Sequence, residues 1–171
     1  LSNAPAARWE ERVAYLMRRL QGAYSLTVLT KDVLLGIRDP LGVRPLCIGR
    51  LDGGWVIASE TCALDHLGAN FVREVAPGEA VMVDGDGLRT LYKREPEGKR
   101  ASCIFESIYF ARPDSIISGK LVYSSRMAMG AELAKEHPVD ADMVMGVPDS
   151  AVAAAVGYSQ QSGISYGDGL V

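Results

Sequence analysis

Arg38-Asp39-Pro40-Leu41-Gly42-Val43-Arg44-Pro45-Leu46 is the stretch on which the reading of this sequence turns. Pro40 and Gly42 force a turn, because proline fixes φ and glycine tolerates left-handed backbone. Upstream, Tyr24 to Leu29 and Val33 to Ile37 are rich in β-formers and flank the turn residues Lys31-Asp32, so they predict a hairpin. Downstream, Arg44-Pro45-Leu46 returns the chain to extended structure. Arg38 and Asp39 then stand as adjacent opposite charges at a strand end, placed to hydrogen-bond the loop backbone.

The pattern continues in both directions. Before the hairpin, Trp9, Val13, Leu16, Met17 and Leu20 share one helical face, and Gln21-Gly22 stops the helix. After it, Leu46 to Ile48 and Trp55 to Ala58 flank the turn Asp52-Gly53-Gly54. Phe71 to Val75 and Glu79 to Val83 are separated by Pro77-Gly78, and Leu88 to Tyr92 pairs back across Asp84-Gly85-Asp86-Gly87. The chain up to about residue 93 is therefore expected to be mostly antiparallel β, entered through one helix. Lys93 to Arg100 is charged and contains Pro and Gly, which reads as a linker between domains or as a long surface hairpin loop.

Beyond it the character changes. Ile104 to Ala111 is apolar with aromatics, Tyr123 to Glu136 has helical spacing, and Asp142 to Val147 reads as an apolar strand. Pro148-Asp149-Ser150 is a tight turn, and Ala151 to Gln161 is an Ala-rich helix closed by Gly163. Strand, turn, helix is the opening of an α/β unit with a parallel sheet.

Composition narrows the function classes. Of 171 residues, 48% are hydrophobic, enough for a real core, and 23% are charged, ordinary for a globular domain. A formal net charge of −3 gives no basic surplus for nucleic acid. No apolar run approaches the length of a membrane span, and Leu1-Ser2-Asn3-Ala4-Pro5 is not the start of a signal peptide. Three cysteines, Cys47, Cys62 and Cys103, have neither the pairing of a disulfide framework nor the spacing of a zinc knuckle, and they fit a reducing cytoplasm.

Arg-Asp-Pro-x-Gly-x-Arg-Pro-Leu at 38–46, followed by Ala58-Ser59-Glu60, is similar to class II glutamine amidotransferases. Cys103-Ile104-Phe105-Glu106-Ser107-Ile108-Tyr109-Phe110-Ala111-Arg112-Pro113-Asp114-Ser115 narrows the resemblance to the amidophosphoribosyltransferase family. Gly22-Ala23-Tyr24-Ser25, Pro77-Gly78-Glu79 and Val147-Pro148-Asp149-Ser150 match it too. The resemblance implies an α+β fold followed by α/β. Residues 1–94 would be the later part of an N-terminal-nucleophile αββα glutaminase domain. Residues 95–100 would be a linker, and 101–171 the start of a type I phosphoribosyltransferase domain. In that family ammonia released from glutamine displaces pyrophosphate from phosphoribosyl pyrophosphate, giving phosphoribosylamine and opening purine synthesis.

Three residues carry site expectations. On residue type alone, Ser150 is placed to cap the helix that follows, and its hydroxyl could equally reach an anion or a magnesium ion. The resemblance makes its turn the pyrophosphate-binding loop, with Ser150 at a Mg2+ site and Asp149 in the same turn. Cys103 reads by itself as a small buried hydrophobe. The resemblance makes it the first of four thiolates of a [4Fe-4S] cluster, the other three lying outside these residues. Cys47 and Cys62 are assigned to the core, and His66 and His137 are given no catalytic or metal role.

The family's nucleophile is an N-terminal cysteine, and this chain begins with Leu1, so no catalytic residue is assigned within it. That start, and the stop soon after the strand–helix unit, give the expectation of a piece cut from a larger protein and inactive alone. The resemblance further implies purine-nucleotide inhibitors and a homotetramer, with no nucleic acid or membrane partner. Two rivals stay open: an amidotransferase with a different acceptor domain, and a non-catalytic homologue.

Overall fold

Leu35 and Ile37 point to one side of their strand and Gly36 to the other, and that alternation organises the first half of the molecule. The computed structural model describes residues 1–94 and 101–170. The expected linker at 95–100 therefore lies outside the described residues. The chain divides into two compact units, Leu1–Cys103 and Ile104–Val171.

The first unit opens with helix α1 (Trp9–Arg19), whose Val13 and Met17 are fully buried. Strands β1 (Ser25–Leu29) and β2 (Leu34–Arg38) form the expected hairpin. β3 (Cys47–Leu51) and β4 (Gly54–Ala58) form a second, and helix α2 (Thr61–Leu67) follows. β5 (Asn70–Glu74), β6 (Glu79–Asp84) and β7 (Gly87–Lys93) complete the unit. The strands make two antiparallel sheets, ordered β1-β2-β6-β7 and β4-β3-β5.

Three apolar clusters show how these pieces stack. Val13 and Met17 of α1 pack on Leu35, Ile37, Ala80 and Met82 of the first sheet. On that sheet's other face, Val81 meets Ile48, Trp55 and Ile57 of the second. Behind the second sheet, Cys47 packs with Leu64 of α2 and with Ala69. The layers are thus helix, sheet, sheet, helix. The two sheets approach closely at Gly36, where an added Cβ would lie 3.0 Å from Ile57 Cδ1.

One buried carboxylate ties the sheets together. Glu79 of β6 accepts hydrogen bonds from Arg73 of β5 at 2.7 and 2.8 Å, from Thr90 Oγ1 of β7 at 2.6 Å, and from the Ala76 N–H at 2.8 Å. Burial pushes this carboxyl upward, but those donors outweigh it and hold it below its ordinary value. The connection from β5 to β6 passes through Gly78, at φ +74, where a side chain would run into the Arg94 carbonyl.

The second unit begins with a π-helical turn at Glu106–Phe110. A small hairpin, β8 (Ile116–Ile117) and β9 (Lys120–Leu121), turns through Ser118 at φ 52 and Gly119. Helices α3 (Val122–Glu136) and α4 (Val152–Ser162) follow, with Gly163 in left-handed conformation closing α4. The expected strand over Asp142–Val147 reduces to one parallel bridge, Val144 to Tyr166. A strand needs a ladder partner, and the segment around Tyr166 is the one that pairs with it among the described residues. The bridge keeps the parallel direction expected for a strand–turn–helix unit.

α3 and α4 touch backbone to backbone. A Cβ on Gly130 would fall 1.8 Å from the Ala154 carbonyl oxygen, and one on Gly157 would fall 1.9 Å from that of Met127. Gly130→Ala is accordingly expected to destabilise the second unit by about 2–3 kcal/mol, the cost of overpacking. Denaturant unfolding followed by helical circular dichroism measures it. For the first unit, Glu79→Gln is expected to cost about 1–3 kcal/mol near neutral pH. A carboxylate held below its ordinary value of 4.5 stabilises the fold above that pH, and the contribution is lost as pH falls through the lowered value. The acid side of the urea-midpoint profile is therefore shallower in the variant than in the parent.

Candidate functional site

The loop from Arg38 to Leu46 is built around its two charged residues. The Arg38 guanidinium donates to the carbonyls of Val75 at 2.7 Å, Arg44 at 2.9 Å and Gly42 at 3.1 Å, and lies 3.5 Å from the Glu74 carboxylate. Asp39 is fully buried, and its carboxylate gathers the N–H groups of Gly42, Leu41, Val43 and Tyr24 at 2.8 to 3.4 Å. The expectation that these side chains hydrogen-bond the loop is what the structure shows. Both hold the scaffold, and neither is presented to a ligand.

Segment 101–103 runs alongside this loop. Ala101 N–H donates to the Leu41 carbonyl at 3.1 Å and Cys103 N–H to that of Val43 at 3.2 Å. Cys103 is half-buried. Among the described residues no three His, Cys, Asp or Glu side chains group to hold a metal. The chain thus offers a single thiol at this point, and it fits an iron–sulfur cluster only as one ligand of four. Cys47 is buried in the core as expected, and burial, reinforced by the Glu74 charge, pushes its thiol up to about 11. Cys62 differs from expectation: it lies in the first turn of α2, with Sγ 3.8 Å from Glu60 Oε2. His66 sits in the last turn of α2, and His137 caps the C-terminus of α3.

The Val147–Ser150 turn lies at the start of α4. The helix is capped by Ala151, already at helical φ −84 and ψ −12, with no side-chain cap. No side-chain hydrogen bond caps α4, so the Ser150 hydroxyl does not make the N-cap contact expected of it. Two long bonds close the turn, Ala151 N–H to the Val147 carbonyl at 3.3 Å and Val152 N–H to that of Asp149 at 3.4 Å. The Pro148–Asp149 peptide is cis. Ser150 borders a shallow concavity of about 180 Å³ with Ile108, Arg126, Met129, Ala151 and Ala154. Its hydroxyl and the exposed Asp149 carboxylate make no hydrogen bond among the described residues, which leaves hard oxygen donors beside a helix N-terminus. Such a set suits an anion or its magnesium complex.

Arg126 is a residue the sequence did not single out. It is 3% exposed and donates to the carbonyls of Ser107 and Ala111, both at 2.8 Å, fastening the π-helical turn to α3. An arginine in a helical segment reads as a solvent-facing charge, so no sequence signal marked it.

Comparison with known proteins finds similarity along most of the chain. A glutamine amidotransferase domain family matches residues 3–66. An amidophosphoribosyltransferase of Mycobacterium tuberculosis is 50% identical over 162 residues, covering 95% of this chain and 30% of that protein. One from Archaeoglobus fulgidus is 53% identical over 156 residues, covering 91% of this chain and 34% of that protein. The solved glutamine phosphoribosylpyrophosphate amidotransferase of B. subtilis, complexed with ADP and GMP, superposes with TM-score 0.93 at 40% identity, over 99% of this chain and 37% of that one. The chain spans about a third of the length of these relatives. Over the stretch it spans, the chain is similar to the amidophosphoribosyltransferases.

Proposed function

We propose that the complete protein is a glutamine-dependent phosphoribosyltransferase, making phosphoribosylamine from phosphoribosyl pyrophosphate at the first step of purine synthesis. One observation carries this reading. The Arg38–Leu46 loop and the Val147–Ser150 turn fall within a single continuous match to amidophosphoribosyltransferases. The first unit is then the later part of an N-terminal-nucleophile αββα glutaminase domain, and its helix–sheet–sheet–helix layering supports that assignment. The second unit is the start of a type I phosphoribosyltransferase domain, supported by its parallel bridge and the turn before α4.

The glutaminase nucleophile, an N-terminal cysteine, lies outside these residues. The turn presents main-chain N–H groups and the positive end of α4 to the pyrophosphate of the substrate. The Ser150 hydroxyl and the Asp149 carboxylate are the oxygens that would meet Mg2+ there. Bound magnesium would neutralise pyrophosphate charge as it leaves. Cys103 would give one of the four thiolates of a [4Fe-4S] cluster completed by residues beyond this chain. Purine nucleotides as inhibitors, and a cytoplasmic homotetramer, complete the proposal. The nucleotides bound to the B. subtilis relative support the first of these.

The experiment is an assay of two preparations. The complete gene product is expected to hydrolyse glutamine and to release pyrophosphate from phosphoribosyl pyrophosphate with ammonia. The 171-residue chain by itself is expected to do neither. Glutamine turnover by the 171-residue chain would overturn the assignment of the nucleophile. Glutamine hydrolysis by the complete product without phosphoribosyl transfer points to a different acceptor domain, and neither activity points to a non-catalytic homologue. Within the complete product, Ser150→Ala is expected to raise the KM for phosphoribosyl pyrophosphate by about tenfold or more, the loss of a charge-assisted contact.

A further inference from the structure

Gly146 is buried directly before the turn that precedes α4. A Cβ at this position would lie 2.8 Å from Val152 Cα and 2.9 Å from Ala151 C and Val152 N. These are backbone atoms, so no rotamer change relieves the overlap. The bridged segment and the first turn of α4 are therefore in direct main-chain contact, and residues 147–150 form the short connection between them.

The body of α4 is fixed as well. Its Gly157 sits against the Met127 carbonyl and its Ala154 carbonyl against Gly130, so the helix cannot slide along α3 to absorb a displacement at its start. Any shift at Gly146 passes into the turn, which is the softest part of the arrangement. Its two closing hydrogen bonds are 3.3 and 3.4 Å long, and no side chain caps the helix.

We propose that Gly146 is a positioning residue for pyrophosphate recognition: its missing side chain seats the first turn of α4 and so fixes where the Pro148–Ser150 backbone meets the substrate. This rests on the reading of that turn as the pyrophosphate loop. The mechanism is geometric. A methyl group at 146 moves the N–H groups of the turn by a fraction of an ångström, while the Ser150 and Asp149 side chains stay chemically intact. Small misplacements of a binding constellation are costly, because the donors must converge on one anion.

The test uses the complete gene product and the ammonia-dependent reaction. In Gly146→Ala, the KM for phosphoribosyl pyrophosphate and the inhibition constant of magnesium pyrophosphate are expected to rise about tenfold, with kcat at saturation within about twofold of the parent. Glutamine hydrolysis in the same preparation keeps its KM. Met145→Ala, which removes a half-exposed side chain from the adjacent position, is expected to leave these constants unchanged. A KM equal to the parent's, with kcat falling only as folded protein is lost, overturns the inference. Failure of Gly146→Ala to fold also overturns it, since the glycine would then hold the unit together rather than place its turn. A parent product that never saturates with phosphoribosyl pyrophosphate sinks the loop reading itself, and that result is distinct from either outcome in the variant.

Discussion

A guanidinium and a carboxylate on successive residues, Arg38 and Asp39, hold the place where the chain leaves one sheet for the other. Both side chains are buried, and both are satisfied chiefly by backbone. Arg38 collects carbonyls and Asp39 collects N–H groups, so a loop that could not otherwise be buried is hydrogen-bonded from within. The loop and its neighbours in turn place much else. Val75 leaves β5 under Arg38, Gly78 donates to the Asp39 carbonyl at 2.9 Å, and segment 101–103 pairs with residues 41–43. Glu79, one residue beyond Gly78, then bolts the two sheets together through Arg73 and Thr90. A motif that carries the resemblance is thus, in this chain, a scaffold.

The hairpins were legible because turn residues and runs of β-formers agreed. Lys31-Asp32 and Asp52-Gly53-Gly54 each join strands that pair directly. Pro77-Gly78 looks equally like a hairpin turn, yet β5 and β6 lie in different sheets. Local chemistry marks where a chain bends, while partner choice depends on which apolar faces meet, as Val81 meets Ile48 and Ile57. Helix α2 escaped because seven residues are too few to establish a period, and its clearest mark was Gly68, left-handed at its end. The strand over Asp142–Val147 was read from apolar content, whereas ladder formation depends on a neighbour as much as on propensity.

The turn before α4 was legible in outline. The turn at Pro148-Asp149-Ser150 and the helix after it stand where sequence puts them. What sequence could not supply was the role of each side chain. Ser150 is an expected N-cap by type, but no side-chain hydrogen bond caps α4. Arg126 was invisible for the opposite reason. Its charge suggested solvent, yet it lies inside, donating to the carbonyls of Ser107 and Ala111. Both cases turn on backbone geometry that residue type does not encode.

The order of the strands carries a practical consequence. Among the described residues, each of the two larger sheets ends in strands with one unpaired side, β1 and β7 in one and β4 and β5 in the other. Leu29 on β1 and Phe71 and Val72 on β5 are large and exposed there, at 79%, 47% and 43%. Open ladders flanked by apolar side chains act as templates for strands from other copies. A polypeptide of these residues alone would therefore be prone to self-association, and concentration becomes a variable to control whenever it is handled by itself.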